Sequence, residues 1–198
     1  MKVLVACEFS GVVRRAFRDR GHAAWSCDLL PSEDNSEYHY QGNVFDIIDR
    51  NWDMMIAHPP CTHLCVSGAR WFKDKQEEQK EAINFFLSLA ECGISRVCIE
   101  NPVGIMSSVY RKPDQIIQPY EFGHVEAKKT CLWLQNLPKL IPTKIVEPEY
   151  TTFKSGKRMA TWYLEAASLP KHERMKVRSK TFQGIADAMA DQWNFNEE

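Results

Sequence analysis

The 198-residue sequence has no apolar run approaching the roughly 20 residues that a bilayer-crossing helix needs, so no membrane span is expected. It also lacks net charge. The 25 Lys and Arg nearly balance the 26 Asp and Glu, leaving −1 at pH 7 and no global pull toward a polyanion. The seven cysteines are scattered and odd in number, without the spacing of a zinc finger or a small disulfide scaffold. That excludes a stapled secreted module and points to a reducing, cytoplasmic setting. The opening Met1-Lys2-Val3-Leu4-Val5-Ala6-Cys7-Glu8 reaches an acid too soon for a secretory signal and reads as a first strand. No internal repeat and no long linker divide the chain. One domain over 1–198 is expected, with a basic subregion at about 145–180 and a C-terminal helix at about 184–193.

What is present alternates between strand and helix signals. Val3–Ala6 is a short buried-type run, followed by a helical stretch from Val12 to Arg20 that stops at Gly21. Ala23–Cys27 reads as a second strand ending on Asp28, Tyr38–Val44 as a third, and Trp52–Ala57 as a fourth. The longest helical pattern runs from Lys75 to Glu91, with Ala82, Phe85, Phe86, Leu89 and Ala90 on one face. Ser95–Ile99 follows as a fifth strand, and Thr130–Leu134 as a later one. The last helix presents Ile185, Met189 and Trp193 on one side. Strands alternating with helices imply an α/β fold: a mostly parallel sheet with helices on both faces.

The charge that exists is local. Thr151–Lys180 carries eight basic residues against Glu165 and Glu173, with Tyr150, Phe153, Trp162 and Tyr163 interleaved. Such a segment is either a phosphate-binding surface with stacking groups or a solvated face whose aromatics belong to the core.

In a doubly wound sheet, ligands bind at the carboxyl ends of the strands. Phe9-Ser10-Gly11 follows the first strand, Asp28 ends the second, His58-Pro59-Pro60-Cys61 follows the fourth, and Glu100-Asn101-Pro102 follows the fifth. A thiolate attacking carbon and a carboxylic acid protonating a neighbouring nitrogen are complementary chemistries. Each residue also has a plainer reading: Cys61 as a small buried hydrophobe, Asp28 as a turn cap, Glu100 as a surface acid. The crowded His58, Cys61, His63 and Cys65 match no common metal-ligand spacing, so no metal site is expected.

Pro59-Pro60-Cys61 with Gly68 downstream, then Glu100-Asn101-Pro102, then Phe122-Gly123 ahead of a basic strand, resemble in order the motifs of DNA cytosine-5 methyltransferases. The resemblance runs from Val3 to about Trp193 and suggests a short, phage-type member without a full target-recognition domain. It implies a Rossmann-like fold that uses S-adenosylmethionine. Cys61 would attack carbon 6 of cytosine and Glu100 would protonate ring nitrogen 3. Phe9, Ser10, Gly11, Asp28, Leu29, Asn43, Val44 and Pro59 would line the cofactor, and Pro60, Asn101, Pro102, Lys128 and Thr130 the base. The implied partner is DNA, with the target base flipped out of a duplex, and a homodimer could widen the binding surface.

The chain departs from that pattern in several places. The first loop has fewer glycines than the family's, and Asn43 stands where an Asp is common. Lys128 and Thr130 stand where the family has arginines, and lysine lacks the planar fork. A free pyrimidine nucleotide or a single strand is therefore an alternative substrate, and a catalytically silent binding module an alternative role.

Overall fold

The computed structural model describes residues 1–65 and 75–195; Gly68 lies outside them. In chain order the elements are β1 (Lys2–Ala6), α1 (Val12–Arg18), β2 (Ala23–Asp28), β3 (His39–Gln41), β4 (Met54–Ala57), α2 (Gln76–Ala90), β5 (Arg96–Pro102) and α3 (Met106–Val109). They continue as β6 (Gln115–Ile117), β7 (Thr130–Gln135), β8 (Tyr150–Thr152), β9 (Arg158–Ala160), α4 (Thr161–Ser168), α5 (Lys171–Ser179) and α6 (Gln183–Gln192).

Seven strands form one sheet in the order β3-β2-β1-β4-β5-β7-β6. The pairs β1–β2, β2–β3, β1–β4 and β4–β5 are parallel, while β7 runs against both β5 and β6. The chain moves outward from β1 through β2 to β3, then returns to place β4 on the other side of β1. That reversal of direction opens a crevice at the carboxyl ends of β1 and β4, where open α/β sheets bind ligands.

Alternation along the strands sorts the core into two layers. Val3, Val5, Met54, Ile56, Leu132 and Leu134 meet α1 and α6 on one face, through Val13, Phe17, Ile185, Met189 and Trp193. Leu4, Met55, Ala57, Val97, Ile99 and Trp133 meet α2 on the other, through Phe86 and Leu89. A sheet covered on both faces needs apolar residues at successive positions, which is why β1 and β4 are nearly uninterrupted apolar runs. The expected faces of α2 and α6 are the ones buried.

Three details differ from the sequence reading. Helix α1 stops at Arg18, because Asp19 and Arg20 bend into a turn that Gly21 completes. The third strand shrinks to His39–Gln41, since the Asn43 side chain accepts Phe45 N–H at 3.1 Å and starts a 3-10 turn over Val44–Asp46. The basic subregion is folded into the β8–β9 hairpin followed by α4 and α5.

Arg14, at 1% exposure, ties these pieces together. Its guanidinium donates to Ser26 Oγ at 3.0 Å on β2 and pairs with Asp34 in the loop beyond β2. Asp34 also receives Arg15 Nη1 at 2.7 Å. At the far end of the chain, Arg20 grips Asp191 and Asp187 on α6, and Trp193 Nε1 donates to the Pro138 carbonyl at 2.9 Å.

Candidate active site

At the end of β1, Cys7 takes a left-handed backbone conformation (φ 59°) that turns Glu8 inward under the start of α1. Glu8 is 4% exposed, and its carboxylate accepts Val13 N–H at 2.7 Å and Arg14 N–H at 3.3 Å. It therefore satisfies the orphan donors of the helix terminus from outside the helix. Burial raises its pKa, opposed by the His58 charge and by the two backbone N–H groups. Gly11 is the residue that allows this approach: its φ of 67° is one that glycine adopts without strain. Ser10 is buried and Phe9 half-buried beside it.

Asp28 ends β2 half-buried, and its Oδ1 accepts Leu30 N–H at 2.9 Å, so the turn-cap reading holds for that oxygen. Burial raises the Asp28 pKa against the pull of that N–H and the nearby histidines. Leu29 is exposed, Val44 belongs to the core, and Asn43 faces solvent while capping its turn.

The loop after β4 is held chiefly through backbone atoms. His58 N–H donates to the Ala6 carbonyl at 2.9 Å, and Asn101 Nδ2 donates to the Pro59 carbonyl at 2.7 Å. Further along, Ile105 N–H donates to the Leu64 carbonyl at 2.9 Å, and Cys65 forms a bridge with Gly104. A Cβ at Gly104 would overlap the Leu64 carbonyl oxygen and stand 3.0 Å from Cys65 Cα, so only glycine permits the approach. These contacts fix Pro59, exposed Pro60 and half-buried Cys61 against the end of β5. Asn101, read from sequence as a substrate contact, is 2% exposed and acts here as the loop's clamp.

Glu100, Asn101 and Pro102 lie within β5 rather than after it, a correction to the sequence reading. The parallel pairing with β4 ends at Ile99, but β7 continues the strand by pairing Leu132, Cys131 and Thr130 with Glu100, Asn101 and Pro102. Glu100 is thus a buried strand carboxylate. Its Oε2 lies 2.7 Å from His58 Nδ1 and accepts the Thr181 hydroxyl at 3.4 Å. Burial works against both charges of the pair. The His58 contact nevertheless lowers the Glu100 pKa, and the Glu100 contact raises that of His58.

Because β7 is reversed, its beginning meets this end of β5. Lys128 precedes it, donating to the Arg178 carbonyl at 2.9 Å, and its charge acts on Cys61, His58 and Glu100 alike. Thr130 is buried, and its hydroxyl bonds back to the Lys128 carbonyl at 3.2 Å. The Cys61 thiol is pushed well above its ordinary pKa, first by its hydrogen bond to Cys65 and then by burial, while Lys128 and Arg178 pull it down.

The segment after α5 closes the top. Lys180 Nζ sits 2.6 Å from Glu33 Oε2, and with Ser179 and Thr181 it lines a narrow cleft that reaches Glu8, Ser10 and His58. The basic subregion itself divides. Trp162 Nε1 donates to the Ala127 carbonyl at 2.8 Å, whereas Tyr150 and Phe153 are exposed, with Arg158 4.7 Å from the Tyr150 ring.

Sequence reading missed Glu8, His58 as the partner of Glu100, and Gly104. The first follows a strand and precedes a glycine turn, which is a usable signal; the other two depend on contacts across 40 or so residues. No protein-family model matches the chain, and no curated protein matches it.

Proposed function

We propose that this chain is an S-adenosylmethionine-dependent methyltransferase acting on carbon 5 of cytosine in DNA, with Cys61 as the nucleophile. One observation carries the reading: the Cys61 loop is clamped by Asn101 and Gly104 to the strand that bears Glu100. In this reading the two would act as nucleophile and acid at the carboxyl ends of the neighbouring strands β4 and β5.

The residues suit the cofactor in two respects. Asp28 at the end of β2 is an acid suited to ribose hydroxyls, and the buried carboxylate of Glu8 beside the cleft favours a cationic ligand centre. S-adenosylmethionine supplies the methyl group. The cleft is too small for such a ligand, so in this reading the Ser179–Thr181 segment lifts to admit it. In this reading Phe9, Ser10 and Gly11 flank the cofactor, while Lys128 and Arg178 favour the Cys61 thiolate. Cys61 bonds carbon 6, ring nitrogen 3 is protonated at Glu100, carbon 5 takes the methyl group and loses its proton to water, and the thiolate leaves. The basic face of α5 and the hairpin offer contacts to phosphates. Exposed Tyr150 and Phe153 also suit unpaired bases, which favours single-stranded DNA as a second reading.

The test is methyl transfer from labelled S-adenosylmethionine to duplex and single-stranded DNA of one sequence. Wild type is expected to label DNA, and Cys61→Ala to lose about 10³-fold or more of the rate with its thermal unfolding unchanged. DNA containing 5-fluorocytosine should trap a covalent adduct with wild type alone. Absence of transfer by wild type, or equal transfer by Cys61→Ala, would sink the proposal.

A further inference from the structure

Resting on the methyl-transfer reading, we propose that His58 is a positioning residue for Glu100 and holds the proton that Glu100 passes to the base. The first support is geometric. His58 Nδ1 and Glu100 Oε2 are 2.7 Å apart, with side chains only 10% and 11% exposed. Among the described residues, both contacts to this carboxylate, from His58 and from Thr181, are made at Oε2. That leaves Oε1 without a hydrogen-bond partner among the described residues.

The second support is an orphan atom. Among the described residues, His58 Nε2 is buried with no hydrogen-bond partner, as is His22 Nε2, but the His58 ring, unlike that of His22, lines the cleft beneath Ser179–Thr181. Burial opposes the imidazolium, but the hydrogen bond and charge of Glu100 on β5, with Glu8 after β1 and Asp28 at the end of β2, favour it against Lys128 ahead of β7 and Lys180 of the same cleft.

The third support is chemical. Ring nitrogen 3 of cytosine is an acceptor, and an ionised Glu100 would repel its lone pair. As Cys61 bonds carbon 6, the Nδ1 proton moves onto the Glu100 carboxylate, and the neutral carboxyl group turns about its Cγ–Cδ bond and gives that same proton to nitrogen 3. His58 becomes neutral, Glu100 is a carboxylate again, and the base gains one proton. When the thiolate departs, the proton returns by the same route, so no external acid is consumed.

His58→Asn keeps a planar N–H donor toward Glu100 but cannot ionise, whereas His58→Ala removes both properties. With His58→Asn, kcat is expected to fall about 100-fold with KM for DNA unchanged. The alkaline limb of the wild-type profile, where activity is lost as His58 deprotonates, should disappear. His58→Ala is expected to raise KM as well. Nitrogen NMR of the ligand-free protein gives an independent readout. The His58 imidazolium should persist above its ordinary value of 6.5 in wild type and fall below it in Glu100→Gln. A wild-type pH profile in active His58→Asn, or a His58 that titrates without regard to Glu100, overturns the proposal. A coupled pair in a protein that transfers no methyl group refutes the methyl-transfer reading and, with it, the proton delivery to the base.

Discussion

Asp34→Ala lowers the free energy of unfolding by about 3 kcal/mol. The carboxylate accepts from Arg14 and Arg15, and Arg14 is buried to 1% exposure with Ser26 as its other side-chain partner. A buried histidine or lysine that loses its partner can shed its proton, but a guanidinium cannot. The full cost of an uncompensated buried charge therefore falls on the fold. Burial opposes ionisation of Asp34, but hydrogen bonds from Ser32, Arg14 and Arg15 outweigh it and hold the carboxyl far below its ordinary 3.8. A carboxyl depressed in the folded state contributes stability that is complete above 3.8 and is lost as pH falls through the folded value. Urea unfolding at neutral pH should show the deficit, and the gap between wild type and Asp34→Ala should narrow progressively as pH falls below 3.8. A loss under about 1 kcal/mol would mean that the bridge behaves as an ordinary surface pair. The effect reaches the site as well, because the loop that Asp34 anchors also carries Glu33, the partner of Lys180.

Gly104→Ala should leave the sheet folded and lower methyl transfer about 100-fold. The added Cβ would stand 2.9 Å from the Leu64 carbonyl carbon and 3.0 Å from Cys65 Cα, so backbone must give way rather than a flexible side chain. What moves is the turn from Cys61 to Cys65, closed by Leu64 N–H and Cys65 N–H donating to the Cys61 carbonyl at 3.0 Å. A displacement of about 1 Å at a nucleophile costs rate far more than it costs stability. Circular dichroism and thermal unfolding of Gly104→Ala, set beside its transfer rate, separate the two effects. A fully active variant would show that the Gly104 contact does not position Cys61.

Much of this architecture is legible in the sequence because burial leaves a periodic trace. Val3–Ala6 and Met54–Ala57 are apolar at every position, as strands covered on both faces must be. Phe86 and Leu89 mark the buried side of α2, and Ile185, Met189 and Trp193 that of α6. The site is less legible because its defining contacts are non-local or made by backbone. Glu8 acts on N–H groups, which leave no residue signature. His58 meets its acid 42 positions away, a separation that no local pattern reveals. The continuation of β5 through Glu100 depends on β7 running in reverse, which local patterns do not encode. Gly156, with φ 78°, was the available signal for the β8–β9 turn and lay within a segment read only for its charge.

The clasp between Arg20 and Asp191 has a consequence for the order in which the molecule assembles. It joins residues 171 positions apart, so the loop it closes is nearly the whole chain. Such contacts form late, after the shorter-range strand pairs have collapsed. Thr181 and Lys180 immediately precede α6, so docking that helix also brings Thr181 to Glu100 and Lys180 to Glu33. A refolding chain is therefore expected to pair its strands first and to complete the Glu100 end of the crevice last, when α6 docks on the sheet. In stopped-flow refolding, far-ultraviolet circular dichroism should recover before the burial of Trp193, and simultaneous recovery of both would contradict that order.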